Sequence, residues 1–171
     1  MEISKETEEL LGRYDAVRAR IDAAAREAGR NGEDIELIVA AKYATAEELA
    51  ALVRYRGLRV AGENRADTLC MHYDALADGE RPEFHFIGHL QRNKVKQVID
   101  KVTLIHSLDS PALALEIEKQ AEKLGISVRV LVEINIGREE SKGGVLPENV
   151  AELCDYLEGN HDVYLYQHKY T

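Results

Sequence analysis

What most limits how this chain can fold is the alternation of short β-branched runs with stretches of helical periodicity. Leu37 to Ala41 precedes a helix from about Thr45, Arg59 to Ala61 one from about Asn64, and Phe84 to Ile87 one over Gln91 to Ile99. Leu104 to His106 precedes a helix from Ser110, Val128 to Ile136 one from Pro147 to about Leu157, and a sixth run covers Val163 to Tyr166. Runs this short and apolar bury both faces when helices cover them, so the alternation predicts βαβ units and a parallel sheet of the α/β class. Thr45-Ala46-Glu47-Glu48 is a capping box, and Ser110-Pro111 puts an N-cap before a proline at the first helical position.

Ahead of the sheet, Leu10, Tyr14, Val17, Ile21, Ala24 and Ala28 recur at steps of three and four, which predicts a long amphipathic helix ending near Gly29. The expected organisation is one domain over 1–171, with an N-terminal helix in 1–29 and the βα units in 35–166. An eight-unit barrel usually needs about 250 residues. Five βα units and a sixth strand therefore suit either an open sheet or an incomplete barrel.

With 22 Lys+Arg against 31 Asp+Glu, the 171 residues carry a net charge of -9, which disfavours electrostatic binding to nucleic acid or to an anionic membrane. No apolar run approaches the roughly 18 residues of a membrane span. Cys70 and Cys154 lie far apart without metal-ligand spacing, so a reducing cytoplasm suits them and no metal is expected.

Four polar clusters follow four different strands, and parallel strands would bring them to one rim. Lys42 ends the first run, where a partly desolvated ammonium would have a lowered pKa and its neutral amine could attack a carbonyl to form a Schiff base. Gly62-Glu63-Asn64-Arg65 follows the second run, with Gly62 for a tight exit, Asn64 as a helix cap and Arg65 for an anion. In Phe84-His85-Phe86-Ile87-Gly88-His89, period two puts His85 and Ile87 on one face, making His85 a candidate for a barrel interior. Arg92, Lys94 and Lys96 then oppose the dipole of the next helix, which suggests an anionic ligand or an acidic partner. The fourth cluster, Glu133 to Gly137, leads into a loop in which Lys142 and two glycines could wrap a ligand. Ser107 and Asp109 beside His106 suggest a hydrolytic triad, but the strained elbow such a serine requires is missing.

These segments resemble, in order and in register from about Ile35 to about Leu157, the pyridoxal phosphate homeostasis proteins. The stretch His85-Phe86-Ile87-Gly88-His89-Leu90-Gln91 is the most specific. The resemblance implies a TIM-barrel-like (β/α) fold similar to the N-terminal domain of alanine racemase. It also implies pyridoxal 5′-phosphate held as a Schiff base on Lys42, and a part in vitamin B6 and amino-acid homeostasis without an established turnover reaction. The cofactor-binding residues it implies are Lys42, Asn64, His85, Ser107, Asn135 and Lys142. The sequence departs from the family at Ala41 and Tyr43, where a serine and a threonine usually flank the lysine. It also lacks the later strands and phosphate-gripping segments, so it reads as a C-terminally truncated form.

Two other functions stay open at this stage. A small racemase-like enzyme would need a second acid/base, for which Tyr166 is the one late candidate. A cofactor-free interaction fragment would use the basic face from Arg92 to Lys96 and the exposed sheet edges, through which self-association is also expected.

Overall fold

In the computed structural model, which describes residues 3–159 and 162–165, helix α1 (Lys5–Glu27) starts after Ser4, whose hydroxyl accepts a hydrogen bond from the Thr7 amide. Its inward face is narrower than the apolar spacing at steps of three and four predicts. Leu11 and Ala25 are buried and Leu10 and Tyr14 partly so, whereas Val17 stays 44% exposed. The helix packs on α2 (Ala46–Arg56) and on the turn at Gly32–Asp34 rather than on the sheet, so one thin line of contact suffices. Arg18 closes that contact with polar bonds, donating to the carbonyls of Ile35 (3.0 Å) and Gly32 and to the Asp22 carboxylate.

The six strands are β1 (Ile38–Ala40), β2 (Val60–Glu63), β3 (Glu83–Phe86), β4 (Leu104–Leu108), β5 (Val128–Val132) and β6 (Val163–Leu165). They pair in parallel in the order β1-β2-β3-β4-β5-β6. Between them run α2, α3 (Ala66–Ala75), α4 (Val95–Val98), α5 (Pro111–Leu124) and α6 (Val150–Glu158). Parallel crossovers keep one hand, so adding each strand to the same side puts every helix on the same face, and the right-handed twist curls the other face inward. This order therefore decides for a TIM-barrel-like sheet of five βα units and a sixth strand rather than a doubly wound one. Among the described residues β1 and β6 are each paired on one side only, and the barrel is not closed.

Phe84, Phe86, Ile105, Leu108, Val128 and Val130 are buried in one core with Leu69, Leu113, Ile117 and Leu153 of the helices. The capping box at Thr45 is complete, and the Ser110 hydroxyl accepts from the Leu113 amide ahead of Pro111.

Several boundaries differ from expectation. The helix expected over Gln91 to Ile99 is a 3-10 turn, Arg92–Lys94, followed by the single turn of α4, because the chain must rejoin the sheet where Thr103 N–H donates to Phe84 O. Strand β5 stops at Val132 instead of Ile136. Beyond it the backbone pairs with its own loop, Asn135 N–H to Val145 O and Val145 N–H to Glu133 O. Asn64 does not cap α3. Sheet pairing runs on through Ile87 N–H to Glu63 O, so the helix begins one residue later with Arg65 in the cap position and no side-chain cap. Tyr166 lies outside the described residues. No helix among those described is long and apolar enough to cross a membrane.

Candidate functional site

The carboxyl ends of β1, β2 and β3 stop level with one another, since Ala40 pairs with Gly62 and Gly62 with His85. Lys42, Asn64 and Ile87 thus stand two residues past a common row, at one rim. Ala41 extends the ladder by donating to Gly62 O at 2.9 Å, and Ala44 N–H returns to Ala41 O at 3.0 Å. Lys42 is the second residue of that four-residue turn. Its side chain is exposed rather than partly desolvated, because no described element covers this part of the rim. The ammonium lies 4.9 Å from the ring centroid of Tyr43, itself 86% exposed.

Gly62 is not an exit turn. It sits inside β2 without a left-handed φ, and a Cβ there would stand 2.7 Å from Ile87 Cδ1 and 3.1 Å from Ile38 Cγ2. The glycine lets these side chains lie close over β2, and only side-chain atoms would have to shift to admit a Cβ. The next residue, Glu63, is fully buried and lies with Oε1 2.6 Å from Nδ1 of the equally buried His72 on α3. His72 Nε2 bonds the carbonyl of Ala44 at 3.0 Å. Burial raises the Glu63 pKa, and the hydrogen bond and charge of His72 oppose that rise. Sequence reasoning assigned neither residue a role. The available signal was a histidine in register with Ala66, Leu69 and Leu76, in the middle of the buried stripe of α3.

His85 points to the barrel interior as its period-two pattern predicts, and is only 4% exposed. Its Nδ1 shares a hydrogen bond with Nε2 of His106, 3.0 Å away on β4. Burial first, then the charges of His106 and Arg129, pull the His85 pKa down to about 4, and burial lowers that of His106. Here β4 carries a bulge. Ile105 pairs with Val130 and Leu108 with Val132, so two residues, His106 and Ser107, oppose one on β5. Bulges of this kind re-aim side chains beside active sites. Ser107 Oγ and Asn64 Oδ1 are both buried and have no hydrogen-bond partner.

The remaining expected site residues are placed differently. The side chain of Asn135 is engaged in its own loop, donating to Glu139 O at 3.0 Å and accepting from Glu139 N–H at 3.2 Å. Lys142 is exposed on that loop. A cleft of about 260 Å³ between the ends of β2 and β3 is lined by Asn64, Arg65, His89 and Lys94. Its positive charge is partly neutralised, since Lys94 pairs with Asp67 at 3.1 Å and His89 lies 3.4 Å from Asp109. Lys94 thus has an internal acidic partner.

The alanine racemase N-terminal domain family matches residues 13–168. The pyridoxal phosphate homeostasis protein of Aquifex aeolicus is 46% identical over 144 residues, covering 84% of this chain and 62% of that protein. The crystal structure of an unknown protein from Bifidobacterium adolescentis superposes with a TM-score of 0.83 at 31% identity, covering 96% of this chain and 70% of the other. PipY of Synechococcus elongatus with PLP bound superposes at 0.63 with 27% identity, covering 75% and 59%. The chain spans about three fifths of the length of the curated relatives it matches.

Proposed function

The chain belongs to the pyridoxal phosphate homeostasis protein family, built on the alanine racemase N-terminal fold, and from that premise we propose that it binds pyridoxal 5′-phosphate at the strand-end rim through Lys42. The observation that carries this reading is the pair of unpartnered buried atoms, Asn64 Oδ1 and Ser107 Oγ, near the strand ends that Lys42 shares. A buried polar atom without a partner costs about 1–3 kcal/mol, so two at one rim fit a polar ligand that completes them. The named relative and the PLP-bound PipY support the identity of that ligand.

When bound, the cofactor supplies an aldehyde able to form a reversible Schiff base with an amine, together with an electron-withdrawing ring. The chain's own residues do the rest. Lys42 offers the amine on a hydrogen-bonded turn, and Ser107 stands buried in the bulge of β4. Asn64 is held at the end of β2, and His85 and His106 form a wall kept uncharged by burial. Asn135 acts by shaping the loop that carries Lys142, whose ammonium is available to an anionic group. The biological role is a reversible store of cofactor in vitamin B6 and amino-acid homeostasis, in a reducing compartment such as the cytoplasm that suits free Cys70 and Cys154.

Incubation with pyridoxal 5′-phosphate, borohydride reduction and peptide mapping test this. The label should concentrate on Lys42 and disappear in Lys42→Ala. Labelling confined to other exposed lysines would refute it. Formation of D-alanine from L-alanine, dependent on Lys42, would replace the storage role by catalysis.

A further inference from the structure

We infer that the buried Glu63 and His72 pair is a positioning device that pins the turn carrying Lys42, acting through the carbonyl of Ala44. The inference rests on the reading of Lys42 as the amine that bonds the cofactor. Neither residue touches that amine. Among the described residues, the one hydrogen bond their side chains make outside the pair runs from His72 Nε2 to Ala44 O.

A carbonyl oxygen only accepts, so Nε2 must carry a proton, and Glu63 on the opposite nitrogen fixes the ring in that orientation. The turn from Ala41 to Ala44 is then tied at both ends to consecutive residues of β2. Ala41 N–H reaches Gly62 O directly, and Ala44 O reaches Glu63 by way of His72. Lys42 stands between the two ties. Stability alone does not explain the pair, because well-packed apolar side chains usually do as well or better than a buried ionisable couple, and Glu63 Oε2 is left without a partner. What polar atoms add here is a directed bond to one carbonyl, which holds the lysine backbone still while its long side chain remains exposed. Ordering the turn in advance reduces the entropy lost on capturing a ligand.

The test compares the whole chain with His72→Leu, which fills the space but cannot donate, and His72→Asn, which can face Glu63 but is too short for Ala44. One readout needs no cofactor: the hydrogen-exchange rate of the Ala44 amide, which bonds Ala41 O. The other is the concentration of pyridoxal 5′-phosphate that gives half-maximal borohydride-fixed label on Lys42. Both should rise about tenfold in each variant, as expected for one lost buried hydrogen bond, while the Leu69 amide of α3, which bonds Arg65 O, exchanges as before. Unchanged Ala44 exchange in a folded variant overturns the inference, and so does faster exchange with unchanged labelling. If both variants fail to fold, the pair serves the fold and not the turn, which also overturns it. Absence of Lys42 label in the unaltered chain would instead overturn the proposed function, leaving Ala44 exchange to judge the pin.

Discussion

A methyl group on Gly88 has no free space to enter. An ideal Cβ there lies 2.4 Å from the carbonyl oxygen of Asn64, 2.7 Å from its Cα and 2.8 Å from its Cβ. The carbonyl and Cα are backbone, and the segment they belong to is held by the 2.7 Å bond from Ile87 N–H to Glu63 O. Relief therefore requires the ends of β2 and β3 to separate. Gly62 provides the control, because its nearest obstacles, Ile87 Cδ1 at 2.7 Å and Ile38 Cγ2 at 3.1 Å, are side-chain ends, and Ile87 is 37% exposed. Neither glycine has a left-handed φ, so alanine at either position also removes unfolded-chain entropy worth about 0.4–1 kcal/mol in its favour. Overpacking against backbone costs about 1–3 kcal/mol, whereas a side-chain shift costs about 0.5–1.5 kcal/mol. Gly88→Ala should thus lose about 1–2 kcal/mol net and Gly62→Ala should be near neutral. With a urea slope of about 2 kcal/mol per molar, the Gly88→Ala midpoint falls by about 0.5–1 M. Urea unfolding followed by circular dichroism measures both. Equal shifts at the two positions, or an unmoved Gly88→Ala midpoint, would refute this account of why the strand ends meet so closely.

Three further outcomes follow from the same geometry. The folded pKa of His85, about 4, lies below its ordinary value, so the unfolded chain binds the proton more readily. Stability should be complete above about pH 6.5 and fall toward pH 4 by no more than about 3 kcal/mol, and His85→Leu should flatten that slope in urea titrations at stepped pH. Thr45→Ala removes both the acceptor for Glu48 N–H (3.2 Å) and the anchor of the capping box. Thermal denaturation should show a loss of about 1 kcal/mol. The one-sided pairing of β1 and β6 should make this chain self-associate through its sheet edges, and light scattering over a concentration series checks this, a constant monomer mass being the refuting result.

Near-neighbour spacing determined much of this protein. The βα alternation, the capping box at Thr45, the Ser110-Pro111 start of α5 and the opposed faces of Phe84 and His85 depend on residues within about one turn of each other, whose preferences survive in almost any surroundings. Lys42 could be placed at a strand end for the same reason. Its exposure could not be read that way, because desolvation depends on what lies above the rim and not on the strand beneath. The choice of barrel over open sheet was decided by strand order, which local periodicity does not encode. Asn64 looked like a helix cap by spacing, but sheet pairing through Glu63 O took precedence and left its side chain buried without a partner. The bulge that holds Ser107 is visible only in the register of β4 against β5. The bond between Glu63 and His72 joins a strand to a helix face, and then to Ala44 on a third element. Hydrogen bonds act over about 3 Å, so which distant groups come within that reach is settled by packing alone.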